Sequence, residues 1–170
     1  MEAFKWSDAL AMYRKDKRNF FITEHKFSRF FNAATFEHGL SKFLHKYFSK
    51  HFCFSYVSCY AGFPIAYSDI KIFTPFYISG IQRGCHVTGT VNLIIFRPTR
   101  TVPFDVKIMS TVRYPICEAK VANLKVNIDC HSYNGRKPRK GETCTVVLDT
   151  VKEDRQTISL NCYMQDEKLF

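Results

Sequence analysis

Catalysis and metal binding need nucleophiles, bases or ligands that converge on one pocket, so the imidazoles, thiols and carboxylates are weighed first. The histidines, His25, His38, His45, His51, His86 and His131, fall in different predicted elements, with neither a triad-like nor a metal-like spacing. The seven cysteines (Cys53, Cys59, Cys85, Cys117, Cys130, Cys144 and Cys162) are odd in number, include no CxxC pair and follow no framework pattern. The chain opens MEAFKWSD over Met1–Asp8, and basic residues follow where a leader would place an apolar run. Together these features predict a reducing compartment in which the thiols serve as small hydrophobes. Asp129 and His131 stand two residues apart at the end of a predicted strand, which is only weak evidence for a shared site. The expectation is a protein with no catalytic residue, no metal and no cofactor. Nor does any apolar stretch approach the roughly 18 residues of a membrane span.

Binding chemistry is better represented. The 170 residues carry a formal net charge of +10 and a sequence pI near 9.3, which suits nucleic acid or an acidic protein as neighbour. The excess is uneven: residues 1–100 hold 14 Lys or Arg against 6 Asp or Glu, and residues 101–170 hold 11 against 9. Positive charge in that nearly balanced C-terminal region is concentrated in a single run. Asn134–Lys140 reads NGRKPRK, with Arg136, Lys137, Arg139 and Lys140 stiffened by Pro138 and preceded by Tyr133. Positive charge neutralises phosphate and releases counterions, and an aromatic ring offers a face on which a base can stack. These residues, with Lys107 and Arg113 as extensions of the patch, are the predicted RNA contacts. Aromatics make up 16% of the chain, with 17 Phe, a surplus over two small cores that suits interfaces.

The elements that would position these residues follow from periodicity. Ser7–Arg18 predicts a short helix, capped by Ser7 or Asp8, with Arg14, Lys15, Lys17 and Arg18 gathered at its C-terminal end. Asn19–Phe27 reads as an extended piece. Thr35 is the expected cap of a second helix, whose Phe36, Leu40, Phe43, Leu44, Tyr47 and Phe48 repeat at three-to-four spacing. From His51 the period becomes two, predicting strands over His51–Tyr60, Gly62–Phe73 and Cys85–Arg97, with Pro75–Gly84 connecting the last two. Pro98 ends the third of these and marks a boundary at Pro98–Thr101, between units spanning 1–98 and 99–170. Five short strands follow: Phe104–Val112, Ile116–Val121, Leu124–Cys130, Thr143–Val151 and Thr157–Met164. The fold class is therefore α+β: a helix-and-sheet unit, then a five-stranded OB-like barrel.

Three segments carry a family resemblance. Gly62–Lys71 (GFPIAYSDIK), Val91–Pro98 (VNLIIFRP) and Lys140–Met164 (KGETCTVVLDTVKEDRQTISLNCYM) resemble, in order and spacing, the larger stalk subunit of the nuclear RNA polymerases, above all the RNA polymerase I version. The likeness covers roughly Phe27 to Met164. It departs at Thr99–Pro103 (TRTVP), where family members often place a Gly-Glu pair, and the long acidic insertions and tails of larger relatives are absent. The resemblance implies a truncated RNP-like domain that docks the stalk on the polymerase core beside a smaller stalk subunit. Phe63, Pro64, Ile65, Tyr67, Ile70 and Lys71 are the docking residues expected on that basis. It further implies an OB domain facing nascent RNA, an initiation factor as partner, rRNA transcription, and a nuclear, nucleolar location without membrane contact. Three alternatives remain open: the equivalent subunit of polymerase II or III, a free-standing OB-fold RNA-binding protein, and a small enzyme of a class that the sequence does not reveal.

Overall fold

The computed structural model describes residues 3–32, 39–73, 77–79, 84–133, 135–154 and 157–164. The expected cap Thr35, Phe36, Asn134, and segments of the Pro75–Gly84 connection and the Lys152–Gln156 turn lie outside them.

The first helix, α1 (Trp6–Lys15), begins just before the residues expected to cap it. Lys5 holds the cap position without a side-chain bond, and the Ser7 hydroxyl donates to the Asp8 carboxylate at 3.2 Å. Asp16 then turns the chain, its Oδ1 accepting the backbone N–H groups of Arg18 and Asn19. The extended piece after it is a full strand, β1 (Phe20–Asn32). The second helix, α2 (Leu40–Tyr47), runs into a π-turn over Phe48–Phe52, and Leu44 and Phe48 are wholly buried beneath it.

The strand expected over His51–Tyr60 is not formed. The π-turn occupies its start and a 3-10 turn, Ser58–Tyr60, its end. The alternating apolar residues have a different cause: this segment rounds the edge of the sheet. Phe48 and Phe52 pack on the α2 side, while Cys53 and Phe54 are buried in the cluster on the opposite side. Phe54 adopts a φ of 66° and donates its N–H to the Pro64 carbonyl at 2.7 Å.

The sheet itself comprises β1, β2 (Phe63–Ile72), the short β3 (Tyr77–Ser79) and β4 (Gly84–Phe96). Its order is β1-β4-β2, with β3 also paired to β4, all antiparallel. β4 is central, and its residues Val91, Leu93, Ile94, Ile95 and Phe96 are fully buried. A bulge between Ser68 and Lys71 places Asp69 at a φ of 51°. Beyond it Gly89 passes under Lys71 so closely that a Cβ would lie 2.2 Å from the Lys71 carbonyl oxygen, which only glycine permits.

After Pro98 come β5 (Phe104–Ser110), β6 (Ile116–Val121), β7 (Leu124–Asp129), β8 (Thr143–Asp154) and β9 (Thr157–Met164). They close into a barrel of order β5-β6-β7-β9-β8, in which β7 and β9 run parallel and every other pair is antiparallel. A closed five-stranded mixed barrel is consistent with an OB-like fold. Inward and outward residues alternate strictly along β6 and β7, as half-buried strands require. Val106, Ile108, Leu124, Val126, Ile128 and Leu160 fill the interior.

Strand pairing stops between Phe96 and Phe104, but side-chain packing does not. The Phe96 and Phe104 rings meet edge to face at 5.2 Å, and one cluster runs from α1 and one face of the sheet into the barrel. Polar contacts reinforce the junction. The buried Asn19 side chain donates to the Pro103 carbonyl at 2.9 Å, and the Lys15 ammonium pairs with the Asp105 carboxylate at 2.8 Å.

Candidate nucleic-acid interface

The basic loop leaves β7 at Asp129, which closes the strand with its own turn. Its Oδ1 accepts the His131 backbone N–H at 2.8 Å and meets the His131 ring Nδ1 at 2.6 Å. The backbone bond chiefly, then the ring, holds the Asp129 carboxyl below the usual carboxylate range. Both side chains are more than half exposed, and the pair shapes the turn that ends the strand.

Tyr133 is half-buried and packs against the barrel core. Gly135 lies directly against its ring, where a Cβ would come within 2.2 Å, so the glycine lets the tyrosine fold back. Pro138 is buried and fixes the middle of the loop. Glu142 fixes its end: the carboxylate accepts the Arg139 backbone N–H at 2.8 Å and the Arg136 guanidinium at 2.7 Å. Those two bonds hold the Glu142 carboxyl below its ordinary range, the backbone bond contributing most. Gly141, at a φ of 88°, then donates to the Ile108 carbonyl and ties the loop to β5.

The four basic side chains are thus not equivalent. Arg136 is paired with Glu142, and the Lys137 ammonium sits 4.7 Å above the Tyr114 ring in the β5–β6 turn. Arg139 and Lys140 are exposed and make no ion pair among the described residues. Arg113 shares the turn with Tyr114, so this end of the barrel gathers Arg113, Tyr133 and the basic loop. Lys107 does not join them directly. It projects outward from β5 opposite Lys120 on β6 and Thr143 on β8.

A groove of about 690 Å³ extends from that end across the outer faces of β6, β7, β9 and β8. Three of its features escape a reading by charge runs. Near the loop lie two exposed apolar groups, Ile116 and Tyr163. In the middle the amides of Asn127 and Asn161 stand opposite each other on β7 and β9, and Asn161 donates to the Thr150 hydroxyl at 3.1 Å. At the far end are Lys125 and Lys152. The sequence does carry a signal for some of this: a two-residue turn at Ala122–Asn123 obliges Lys120 to face Lys125.

The residues expected to dock are placed differently from one another. Phe63, Pro64 and Ile65 are buried within the protein itself. Phe63 and Ile65 lie inside because β2 covers the cluster shared with α1. Tyr67 and Ile70 are half-buried on the α2 face, where the Tyr67 hydroxyl donates to the His45 carbonyl at 3.0 Å. Only Lys71 of the six is exposed. β2 does lie at a sheet edge.

The thiols are core groups for the most part. Cys53, Cys85, Cys117, Cys130 and Cys162 are buried, and burial pushes Cys53, Cys130 and Cys162 up to about 12. Among the described residues, no group of three or more His, Cys, Asp or Glu side chains is placed to hold a metal ion, and no helix is long and apolar enough to cross a membrane. No family model matches the chain, and a search of curated proteins finds no match.

Proposed function

We propose that the chain is a non-catalytic larger stalk subunit of a nuclear RNA polymerase, with polymerase I the leading assignment. In this reading it docks on the polymerase core, lies beside a smaller stalk subunit, meets an initiation factor and guides nascent RNA during rRNA transcription in the nucleolus. The helix-and-sheet unit would be the truncated RNP-like domain and the barrel the OB domain of that family. The observation that carries the reading is the order of elements: an antiparallel sheet backed by α2, then a closed barrel of order β5-β6-β7-β9-β8 bearing an exposed basic loop. A barrel face flanked by loops is where OB-like folds bind nucleic acid, and the exposed basic loop borders such a face here.

Affinity purification of the full chain at native expression tests this. Co-purification of stoichiometric polymerase subunits, the largest ones identifying the class, is the expected result. Recovery of the chain alone, or with RNA but no polymerase subunit, would replace the stalk reading by the free-standing RNA-binding one.

A further inference from the structure

The barrel carries a second cationic zone, a row that starts at Lys107, opposite Thr143 beside the end of the basic loop, and runs across the strands away from it. Lys107 pairs across β5–β6 with Lys120, Lys120 across β6–β7 with Lys125, Lys125 across β7–β9 with Ser159, and Ser159 across β9–β8 with Lys152. Residues directly opposite share a face, and neighbouring strands are about 4.8 Å apart. Every strand of the barrel therefore contributes to one outward row reading Lys-Lys-Lys-Ser-Lys. Like charges directly opposite destabilise a sheet, and this row does little to offset the repulsion. Lys125 reaches Glu118 at 3.7 Å, while Lys107, Lys120 and Lys152 are exposed and make no ion pair among the described residues. A row that costs the free protein stability is accounted for if an anion lies along it.

The groove joins this row to the basic loop. Along β7 the outward residues are Lys125, Asn127 and Asp129, so the lysine row and the loop end are four residues apart, about 13 Å at ~3.3 Å per residue. Between them stand the Asn127 and Asn161 amides, with Tyr163 and Ile116 beside the loop. The centre also carries two carboxylates, Glu118 opposite Asn127 and Asp149 at the β8 bulge beside Asn161, so phosphate is held at the ends while the amides and rings between them offer hydrogen bonds to base edges and ring contact.

We propose that Lys120, Lys125 and Lys152 form a second phosphate clamp, and that one single strand of RNA runs along the groove, held by the basic loop at one end and by these lysines at the other. This rests on the RNA-guiding reading above, but it assigns residues and a direction that reading does not contain. The strand crosses the barrel face over Tyr163, Asn161 and Asn127 and does not simply touch the loop.

The test uses the full chain, labelled single-stranded oligouridylates of increasing length, and two variants: K120Q/K125Q/K152Q and the loop variant R136A/K137A/R139A/K140A. Glutamine keeps most of each stem and all three sites are exposed, so the row variant should keep the wild-type circular dichroism spectrum and, with the repulsion relieved, melt no lower than the wild type. Its salt slope should fall by about 2.1 units, at −0.7 per phosphate for three contacts. Affinity should rise with oligonucleotide length until one strand bridges both clamps, and either variant should abolish that rise. If the wild type binds and the loop variant is impaired while the row variant keeps the full slope, the second clamp is wrong and the RNA reading survives. If the folded wild type binds no single-stranded RNA, the RNA reading itself fails. If polyglutamate of equal charge displaces RNA from the row as well as RNA does, the row is a general anion surface and the proposal falls.

Discussion

At the scale of the residue, the basic loop has less free charge than its sequence suggests. Arg136 is occupied by Glu142 and Lys137 by the Tyr114 ring, which leaves Arg139 and Lys140 to meet phosphate without first breaking a contact. Alanine at all four positions should therefore flatten the single-strand salt slope by about 1.4 units, the value for two phosphates, and not by the roughly 2.8 that four free charges would give. Fold stability should change little, because Arg139 contributes its backbone N–H to Glu142, which alanine retains. The measurement is RNA affinity between about 50 and 200 mM salt. A loss near ~2.8 would mean that the Glu142 and Tyr114 contacts open on binding, and an unchanged slope would remove the loop from the RNA path. Charge pairing of this kind is invisible to a count of lysines and arginines, since Glu142 lies outside the basic run and Tyr114 is well upstream of it.

At the scale of the element, period-two alternation is a sound guide wherever a strand has one wet face and one dry face. β6 and β9 occupy the spans expected of them, Ile116–Val121 and Thr157–Met164, and the Ala122–Asn123 turn is where the sequence puts it. The same signal misleads at His51–Tyr60, because apolar residues that serve two cores on opposite sides of a sheet edge alternate as a strand does. Conversely β1 is longer than its pattern suggests: its outward residues Glu24, Lys26, Ser28 and Arg29 dilute the apolar pattern that Phe20, Phe27 and Phe31 supply. The candidate groove is only partially legible, because its residues are distant in sequence and meet through register. Barrel closure makes a direct prediction. Ile128 is wholly buried on β7, between an antiparallel and a parallel neighbour. Ile128→Ala should cost about 2–5 kcal/mol. Urea titration should show this as a lower midpoint at unchanged slope. A cost below about 1 kcal/mol would mean that the barrel interior is loosely packed.

At the scale of the whole molecule, pairing and packing disagree about where the chain divides. No backbone ladder among the described residues joins the sheet to the barrel, and the break falls at Pro98–Pro103. Yet Phe96 and Phe104 lie in ring contact, Asn19 bonds to Pro103, and one apolar cluster passes from α1 through the sheet into the barrel. Cooperativity follows packing more than ladder continuity, since an unfolded barrel would expose Phe96, and an unfolded sheet would expose Phe104, to water. The chain offers a clean probe of this. Trp6 is its single tryptophan and packs in α1 against the shared cluster, so its fluorescence reports the N-terminal unit. Far-ultraviolet circular dichroism reports all strands, those of the barrel included. The two signals should change together in a single urea transition. Phe96→Ala should lower both midpoints alike, at a cost of about 3–5 kcal/mol, because the ring is fully buried against Phe20 and Phe104. Separate transitions, with Phe96→Ala moving only the tryptophan signal, would show that sheet and barrel fold independently and that the Phe96–Phe104 contact is a hinge between them.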